Sequence, residues 1–178
     1  MSRPLNRRNV FVLAVLTCLL AVGSATAAFR AGFAVRDVTP DPLLPVSGGV
    51  GPSHPVTRKI GQLTVRAMAL ENDGTRVAIC SVDFLGFPGV LCNKVRAKAP
   101  AVPAANILIG ATHTHSAPDC YGFPDETGKT SADLAYLDRV CGKLAEAIDE
   151  ATAHLQPARV KIATGKAKGR IAYNYYAE

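Results

Sequence analysis

The sequence predicts an α/β domain with a mixed β-sheet and crossover helices, in the order β-β-β-α-β-α-β. Three observations support this prediction. Short apolar runs bounded by turn residues alternate with segments of helical period. The run 77–82 is almost continuously apolar, as expected for a strand buried on both faces. The segment that ends near His154 carries the apolar stripe of a helix packed on such a sheet.

The first 27 residues have the order of a secretory signal peptide. Arginines including Arg7 and Arg8 precede an unbroken apolar run at 10–22, and Ala25-Thr26-Ala27 then supplies an A-x-A cleavage pattern. The apolar run is shorter than the ~20 residues that a membrane-spanning helix needs. We therefore expect a secreted or periplasmic protein with its mature domain at 28–178. The Arg7-Arg8 pair also fits a twin-arginine signal, so the export route stays open.

Composition narrows the class of partner. The formal net charge of +6 includes three arginines of the signal peptide, so the mature chain carries about +3, too little to indicate nucleic-acid binding. Aromatic residues make up 6% of the chain and there is no Trp, which disfavours a surface that stacks on sugars or single-stranded bases. The length of the mature chain fits one domain.

Four cysteines remain after signal removal, namely Cys80, Cys92, Cys120 and Cys141. An even number in an oxidising compartment permits two disulfides. The spacing is not that of a disulfide scaffold, however. Cys80 lies in an apolar strand pattern and Cys141 on the apolar side of a helix, so we expect buried thiols at these two positions.

Three strands are predicted in the first half of the mature chain. Residues 29–38 alternate as in a strand, and a long loop rich in Pro, Gly and Ser follows at 43–59. Strands at 62–71 and 75–84 are joined by Asn72-Asp73-Gly74, a hairpin turn sequence.

The second half alternates helix and strand. A short helix is predicted over 89–98, with its inward side formed by Val90, Leu91, Val95 and Ala99. A second buried strand follows at 106–111. A long helix runs from a Thr130 or Ser131 cap to about His154, with Leu134 the first residue of its apolar stripe. A last strand is expected at 159–164.

The chemistry is concentrated where strand 106–111 ends. His113 and His115 are two residues apart, so an extended backbone would point both imidazoles to one side, where they could meet one metal ion. The carboxyl ends of strands are the usual place for sites in α/β sheets. Asp83 ends the neighbouring strand and could orient an imidazole by accepting a hydrogen bond from its second ring nitrogen.

Spacing alone leaves a metal site open. Two histidines at a strand end are often ordinary surface residues, and zinc normally takes three or four protein ligands. His54 and Asp119 are candidate third ligands, although the sequence places neither. Ser116 invites a Ser–His nucleophile reading, but it lacks a surrounding Gly-x-Ser-x-Gly elbow.

Several stretches resemble the amino-terminal part of the neutral/alkaline, non-lysosomal ceramidase family. They are Asp37-Val38-Thr39-Pro40, Val65-Arg66-Ala67-Met68-Ala69-Leu70-Glu71, Ser81-Val82-Asp83-Phe84-Leu85-Gly86 and Asn106-Ile107-Leu108-Ile109-Gly110-Ala111-Thr112-His113-Thr114-His115-Ser116-Ala117-Pro118. The resemblance is good from Phe29 to Pro118 and looser beyond. The Thr-His-Thr-His-Ser-x-Pro segment is its most specific part.

The resemblance implies a zinc (Zn²⁺) amidohydrolase of sphingolipid metabolism that cleaves the N-acyl bond of ceramide or a related N-acyl lipid. It makes His113 a zinc ligand and His115 a catalytic imidazole that contacts the substrate or the oxyanion. Separately from the resemblance, the basic stretch at 161–170 is a weak candidate for peripheral contact with a membrane surface, although such runs are usually a solvated strand face.

This sequence departs from the family in three ways. Family members are much longer, and their other zinc ligands and catalytic serine come from later segments, which makes this chain a candidate fragment. Lys59-Ile60-Gly61-Gln62 replaces a Gly-Ile-His-Asp sequence, and Asn174-Tyr175 replaces an Asn-Arg pair. These replacements indicate a divergent branch. The alternative is a non-catalytic exported domain that binds metal or lipid.

Overall fold

A computed structural model describes residues 29–48 and 52–166. It contains five strands and two α-helices in the predicted order, which confirms the predicted fold class. The predicted signal peptide and Asn174-Tyr175 lie outside the described residues. In chain order the elements are β1 (Arg30–Asp37), β2 (Thr64–Asn72), β3 (Thr75–Val82), α1 (Gly89–Lys98), a 3₁₀ turn (Ala104–Asn106), β4 (Ile107–Ala111), α2 (Leu134–Ala153) and β5 (Gln156–Pro157).

The strands form one mixed sheet in the order β4-β3-β2-β1-β5. Strands β1, β2 and β3 are antiparallel neighbours, and β4 lies parallel to β3 after the crossover through α1. Asp73 and Gly74 close the β2–β3 hairpin with φ angles of 48° and 75°. A two-residue turn with two positive φ angles is type I′, whose twist matches that of the strands it joins.

The core lies between one face of the sheet and helix α2. Small residues on β2 and β3, such as Ala67 and Ala78, are fully buried and let the helix approach closely. Gly32 shows how tight this packing is, because a Cβ atom there would lie 3.1 Å from the carbonyl carbon of His154. The stripe of α2 includes Leu137, Leu144 and Ile148, all buried, which confirms the predicted amphipathic helix.

Helix α2 begins later than predicted. Its cap is Asp133, whose carboxylate accepts a 2.8 Å hydrogen bond from the Tyr136 amide. The predicted cap residue Thr130 instead accepts a hydrogen bond from the Ala132 amide. Leu134 was expected to be buried and is exposed, because it lies at the helix end outside the packed layer.

Helix α1 has its predicted bounds, with one residue misassigned. Leu91, Val95 and Ala99 are buried as expected. Val90 is 66% exposed, and Cys92 is buried in its place. Lys94, four positions after Val90, is also exposed, so both residues lie on the solvent side of the helix.

The last strand is shorter and earlier than predicted. Strand β5 comprises only Gln156 and Pro157, which pair with Ala31 and Arg30 of β1. The segment 158–166 contains no strand. Because β5 runs antiparallel to β1, the chain after Pro157 moves past the first residue of β1, where the Ala158 amide donates one more hydrogen bond, of 2.8 Å, to the Phe29 carbonyl.

The expectation that β3 is buried on both faces is also wrong. Ala78, Cys80 and Val82 are buried, whereas Ile79 on the opposite face is 40% exposed. Leu108 of β4 is exposed in the same way. Among the described residues no helix combines the length and apolar character needed to cross a membrane.

Candidate active site

His113 and His115 lie beyond the carboxyl end of β4, beside the end of β3. The Thr112 amide donates a 2.9 Å hydrogen bond to the Val82 carbonyl, which holds the start of this segment against β3. The extended geometry assumed from the sequence does not persist, because β4 ends at Ala111 and His113 has a φ of 63°. The two imidazoles nevertheless meet edge to face, with ring centroids 5.1 Å apart.

Main-chain carbonyls set the tautomer of both histidines. His113 Nδ1 lies 2.7 Å from the Leu85 carbonyl oxygen, and His115 Nδ1 contacts the Gly48 carbonyl oxygen. A carbonyl oxygen can only accept a hydrogen bond, so each Nδ1 carries the proton. In a neutral imidazole the lone pair is then on Nε2, which is the nitrogen available to a metal or a substrate.

The loop that supplies the Gly48 carbonyl is pinned to the histidine segment. Val46 pairs with both His54 and Pro118, and the Ser47 amide donates a 2.8 Å hydrogen bond to the Ala117 carbonyl. A Cβ atom on Gly48 would lie 3.2 Å from the Cβ of His115, so glycine permits the close approach. Sequence reasoning missed the Gly48 and Leu85 carbonyls, because main-chain groups leave no residue-type signal.

Asp83 lies near the histidine segment but is bonded elsewhere. Its carboxylate accepts hydrogen bonds from the Thr64 amide and hydroxyl, both at 2.8 Å, and from Arg66 at 3.0 Å. Burial alone would raise the pKa of this carboxyl, but these bonds outweigh burial and lower it. Among the described residues, no hydrogen bond joins Asp83 to either imidazole, and the Leu85 and Gly48 carbonyls hold that position.

The other candidate ligands are not gathered around the imidazoles. Asp119 is buried, and its carboxylate accepts hydrogen bonds from the amides of Tyr121, Gly122 and Phe123, so it organises a loop. His54 is exposed and pairs through its main chain with Val46. The described part of the chain holds no cluster of three or more His, Cys, Asp or Glu side chains suited to a metal.

The donor atoms fit zinc in kind but not in number. Two imidazoles with Nε2 lone pairs are good zinc ligands, and hydrogen-bonded Nδ1 groups are the usual support for such ligands. A zinc site needs three or four protein ligands, so these two residues can form only part of one.

A pocket of about 330 Å³ opens beside the histidine segment, with Ser116 and Pro118 in its wall. Its apolar lining includes Leu43, Leu44, Val46, Val56 and Leu63. Arg58 and Lys59 also line it, and neither forms an ion pair with a described residue. The pocket therefore combines aliphatic side chains with two cations, of which Lys59 lies close enough to Asp37 to help lower the pKa of that carboxyl.

Solved structures that are similar to this chain include two ceramidases. A ceramidase complexed with C2 superposes with a TM-score of 0.55 at 23% identity, and a neutral ceramidase from Pseudomonas aeruginosa with a TM-score of 0.54 at 21% identity. Each match covers 74% of this chain and 22% of the solved chain. No protein-family model and no curated protein sequence matches. The similarity confirms the predicted resemblance at the level of the fold.

Proposed function

We propose that this chain is part of a zinc-dependent amidohydrolase that cleaves the N-acyl bond of ceramide or a related N-acyl lipid. The observation that supports it best is the histidine pair at the end of β4, with both Nδ1 atoms bonded to carbonyls and both Nε2 atoms left as lone-pair donors. The likeness in fold to the two ceramidase structures is consistent with this assignment.

In this proposal His113 binds zinc through Nε2, and the Leu85 carbonyl fixes the orientation of its ring. Bound zinc supplies Lewis acidity, which lowers the pKa of a ligated water and polarises an amide carbonyl. His115, whose ring is held by the Gly48 carbonyl, would accept a hydrogen bond from the substrate at Nε2 when neutral, and would donate one to a developing oxyanion only as the imidazolium. The other ligands of such a zinc site would have to come from residues other than His113 and His115.

The apolar pocket beside Ser116 supports a lipid substrate. Its aliphatic wall suits an acyl chain, since burial of each methylene is worth about 0.8 kcal/mol. Hydrolysis of an N-acyl bond releases an amine and a carboxylate. Arg58 and Lys59 suit that carboxylate, or an acidic group elsewhere on the lipid.

A metal titration tests the zinc assignment directly. We expect calorimetry on residues 28–178 to detect Zn²⁺ binding that His113→Ala weakens by at least about tenfold. His154→Ala is the matched control, because His154 is an exposed histidine at the end of α2, and it should bind as the unsubstituted chain does. Equal affinity in the His113→Ala chain would contradict the assignment.

An activity assay on the native exported protein tests the reaction. We expect it to release fatty acid from an N-acyl sphingosine, and to lose that activity with chelator or with His113→Ala. Activity that survives both treatments would rule out the zinc amidase.

The second candidate function is a non-catalytic exported domain that binds metal or lipid. It is favoured by the absence of a third ligand beside the two imidazoles within the described ranges, since a pair of ligands alone can bind zinc only weakly. It predicts weak zinc binding and no turnover of any N-acyl substrate. Hydrolysis by the purified chain would exclude it.

A further inference from the structure

The sheet has a second face that no described element covers. On this face the large side chains Phe33, Met68, Ile79 and Leu108 are 59%, 36%, 40% and 62% exposed. The strand register places them in one row, since Phe33 pairs with Met68, Met68 with Ile79, and Ile79 with Leu108. We call this row and its flanking apolar residues Ala31, Val35, Leu70 and Val77 the open face.

The open face is almost without charge. Within the next row across the sheet, Val35, Arg66, Ser81 and Gly110 are in register, and Arg66 is paired with Asp83 at 3.0 Å. The side of an antiparallel sheet that faces water normally carries polar residues at these positions. Four large apolar side chains in line, beside a neutralised ion pair, are instead the pattern of a face that packs against another layer.

We propose that the open face is the contact surface for a second layer of the same domain, supplied by chain that lies outside this sequence. Two observations favour this occupant. The fold match covers 22% of each ceramidase chain, which leaves most of those chains available for further layers. The face also lacks the basic residues that attract an anionic lipid surface, because its one cation is paired. The inference rests on the fold and is independent of the proposed zinc chemistry.

Thiol labelling can test this inference, because the four native cysteines in the described chain are buried. Leu108→Cys places a thiol on the open face. Val90→Cys is a matched control, since Val90 is 66% exposed but belongs to α1 on the covered side of the sheet. In the protein consisting of residues 28–178, both variants should react rapidly with a maleimide.

The decisive comparison is with the native exported protein carrying the same substitutions, after its intact mass has been measured. We expect a mass well above that of 28–178, with labelling of Leu108→Cys slowed at least tenfold and labelling of Val90→Cys unchanged. Ile79→Cys, on the same row, provides a second site if Leu108→Cys is poorly expressed.

Three results would overturn the proposal. One is a longer native protein in which Leu108→Cys reacts as fast as Val90→Cys. Another is a native mass equal to that of 28–178 with the face still reactive. The third is protection that appears only in a dimer of the short chain, measured by light scattering, which would assign the face to a second copy.

Discussion

At the scale of single residues, the histidine pair owes its chemistry to main-chain groups. Nδ1 protonation follows from the Leu85 and Gly48 carbonyls, so both rings present the same nitrogen, Nε2. The positive φ of His113 turns the chain so that the rings meet although the strand has ended. A His-x-His sequence alone specifies neither feature.

The cations of the pocket lead to a prediction about ligand charge. We expect the double substitution Arg58→Gln and Lys59→Gln to weaken laurate binding to residues 28–178 by about tenfold, a loss of about 1.4 kcal/mol. The reason is that these two cations, which form no ion pair with a described residue, line a largely aliphatic wall. Calorimetry below the micelle concentration measures this effect.

Two controls separate charge from packing. Binding of N-lauroyl ethanolamine, which has a similar tail and no charge, should be unchanged by the double substitution. Lys129→Gln removes an exposed cation outside this pocket and should leave laurate binding unaltered. Equal losses for the charged and uncharged lipids would show that the two residues act on shape and not on charge.

At the scale of elements, Asp83 ties the end of β3 to the start of β2. Its carboxylate bonds Thr64 and Arg66, and its side chain is 13% exposed. We expect Asp83→Asn to lower the free energy of unfolding by about 1.5 to 3 kcal/mol at pH 7, because hydrogen bonds to a charged group are lost. Urea denaturation of both chains measures the difference.

The pH dependence of that difference gives the sharper test. The folded-state pKa of Asp83 is lowered, so its carboxylate stabilises the fold above the unfolded pKa near ~4 and loses this contribution as pH falls through the folded value. The difference in the free energy of unfolding between the unsubstituted chain and the Asp83→Asn variant should therefore shrink below about pH 4. Asp138→Asn removes a half-exposed ion pair and should change stability much less. A gap that is constant from pH 7 to 3 would contradict this account.

Elements were predictable where local signals agreed. The Asp73-Gly74 turn fixed the hairpin, and the stripe through Leu137 and Leu144 fixed α2. The ends of the elements were less predictable. Asp133 and not Thr130 caps helix α2, and the extent of β5 depends on where its partner β1 begins. The exposure of Ile79 could not be predicted from the sequence of its strand. A nearly continuous apolar run does not reveal whether another element packs on each face of the sheet.

For the candidate site, sequence placed the histidines together but not their supports. The parallel pairing of β3 and β4 brings Asp83 and His113 to the same edge, as the pattern suggested. The partner of each imidazole is nevertheless a carbonyl, and Asp83 is drawn to β2 by Arg66. Competition between nearby partners decided this outcome, and residue spacing does not encode such competition.

At the scale of the whole molecule, two deficits occur in the same domain. Within residues 29–48 and 52–166, the histidine pair lacks the further ligands that the proposed zinc site needs, and no element covers the open face. One further layer packed on the sheet could meet both needs, because β4 contributes Leu108 to that face and leads directly into His113. Completing the fold and completing the site are then one structural event.

The four thiols provide a measure of the integrity of the whole fold. Cys80, Cys92, Cys120 and Cys141 are free and buried, in β3, α1, the loop after β4, and α2. Burial raises the pKa of the Cys80 thiol to about 12. Burial is also the main reason why the pKa of Cys120 is raised to about 11. The reactive thiolate form of both residues is therefore scarce at pH 8. Unfolding returns the thiols of Cys80 and Cys120 to the ordinary pKa of about 8.5.

We therefore expect residues 28–178 to show almost no reaction with Ellman's reagent at pH 8 when folded, and four equivalents in guanidinium. Disulfides would lower the count in guanidinium to two or none and reduce the intact mass accordingly. Rapid reaction of the folded chain would mean that the layer of α1 and α2 opens readily. If all four thiols stay protected, packing of the helices on the sheet is enough to keep these cysteines reduced, and the lack of a disulfide framework in the sequence has a physical explanation.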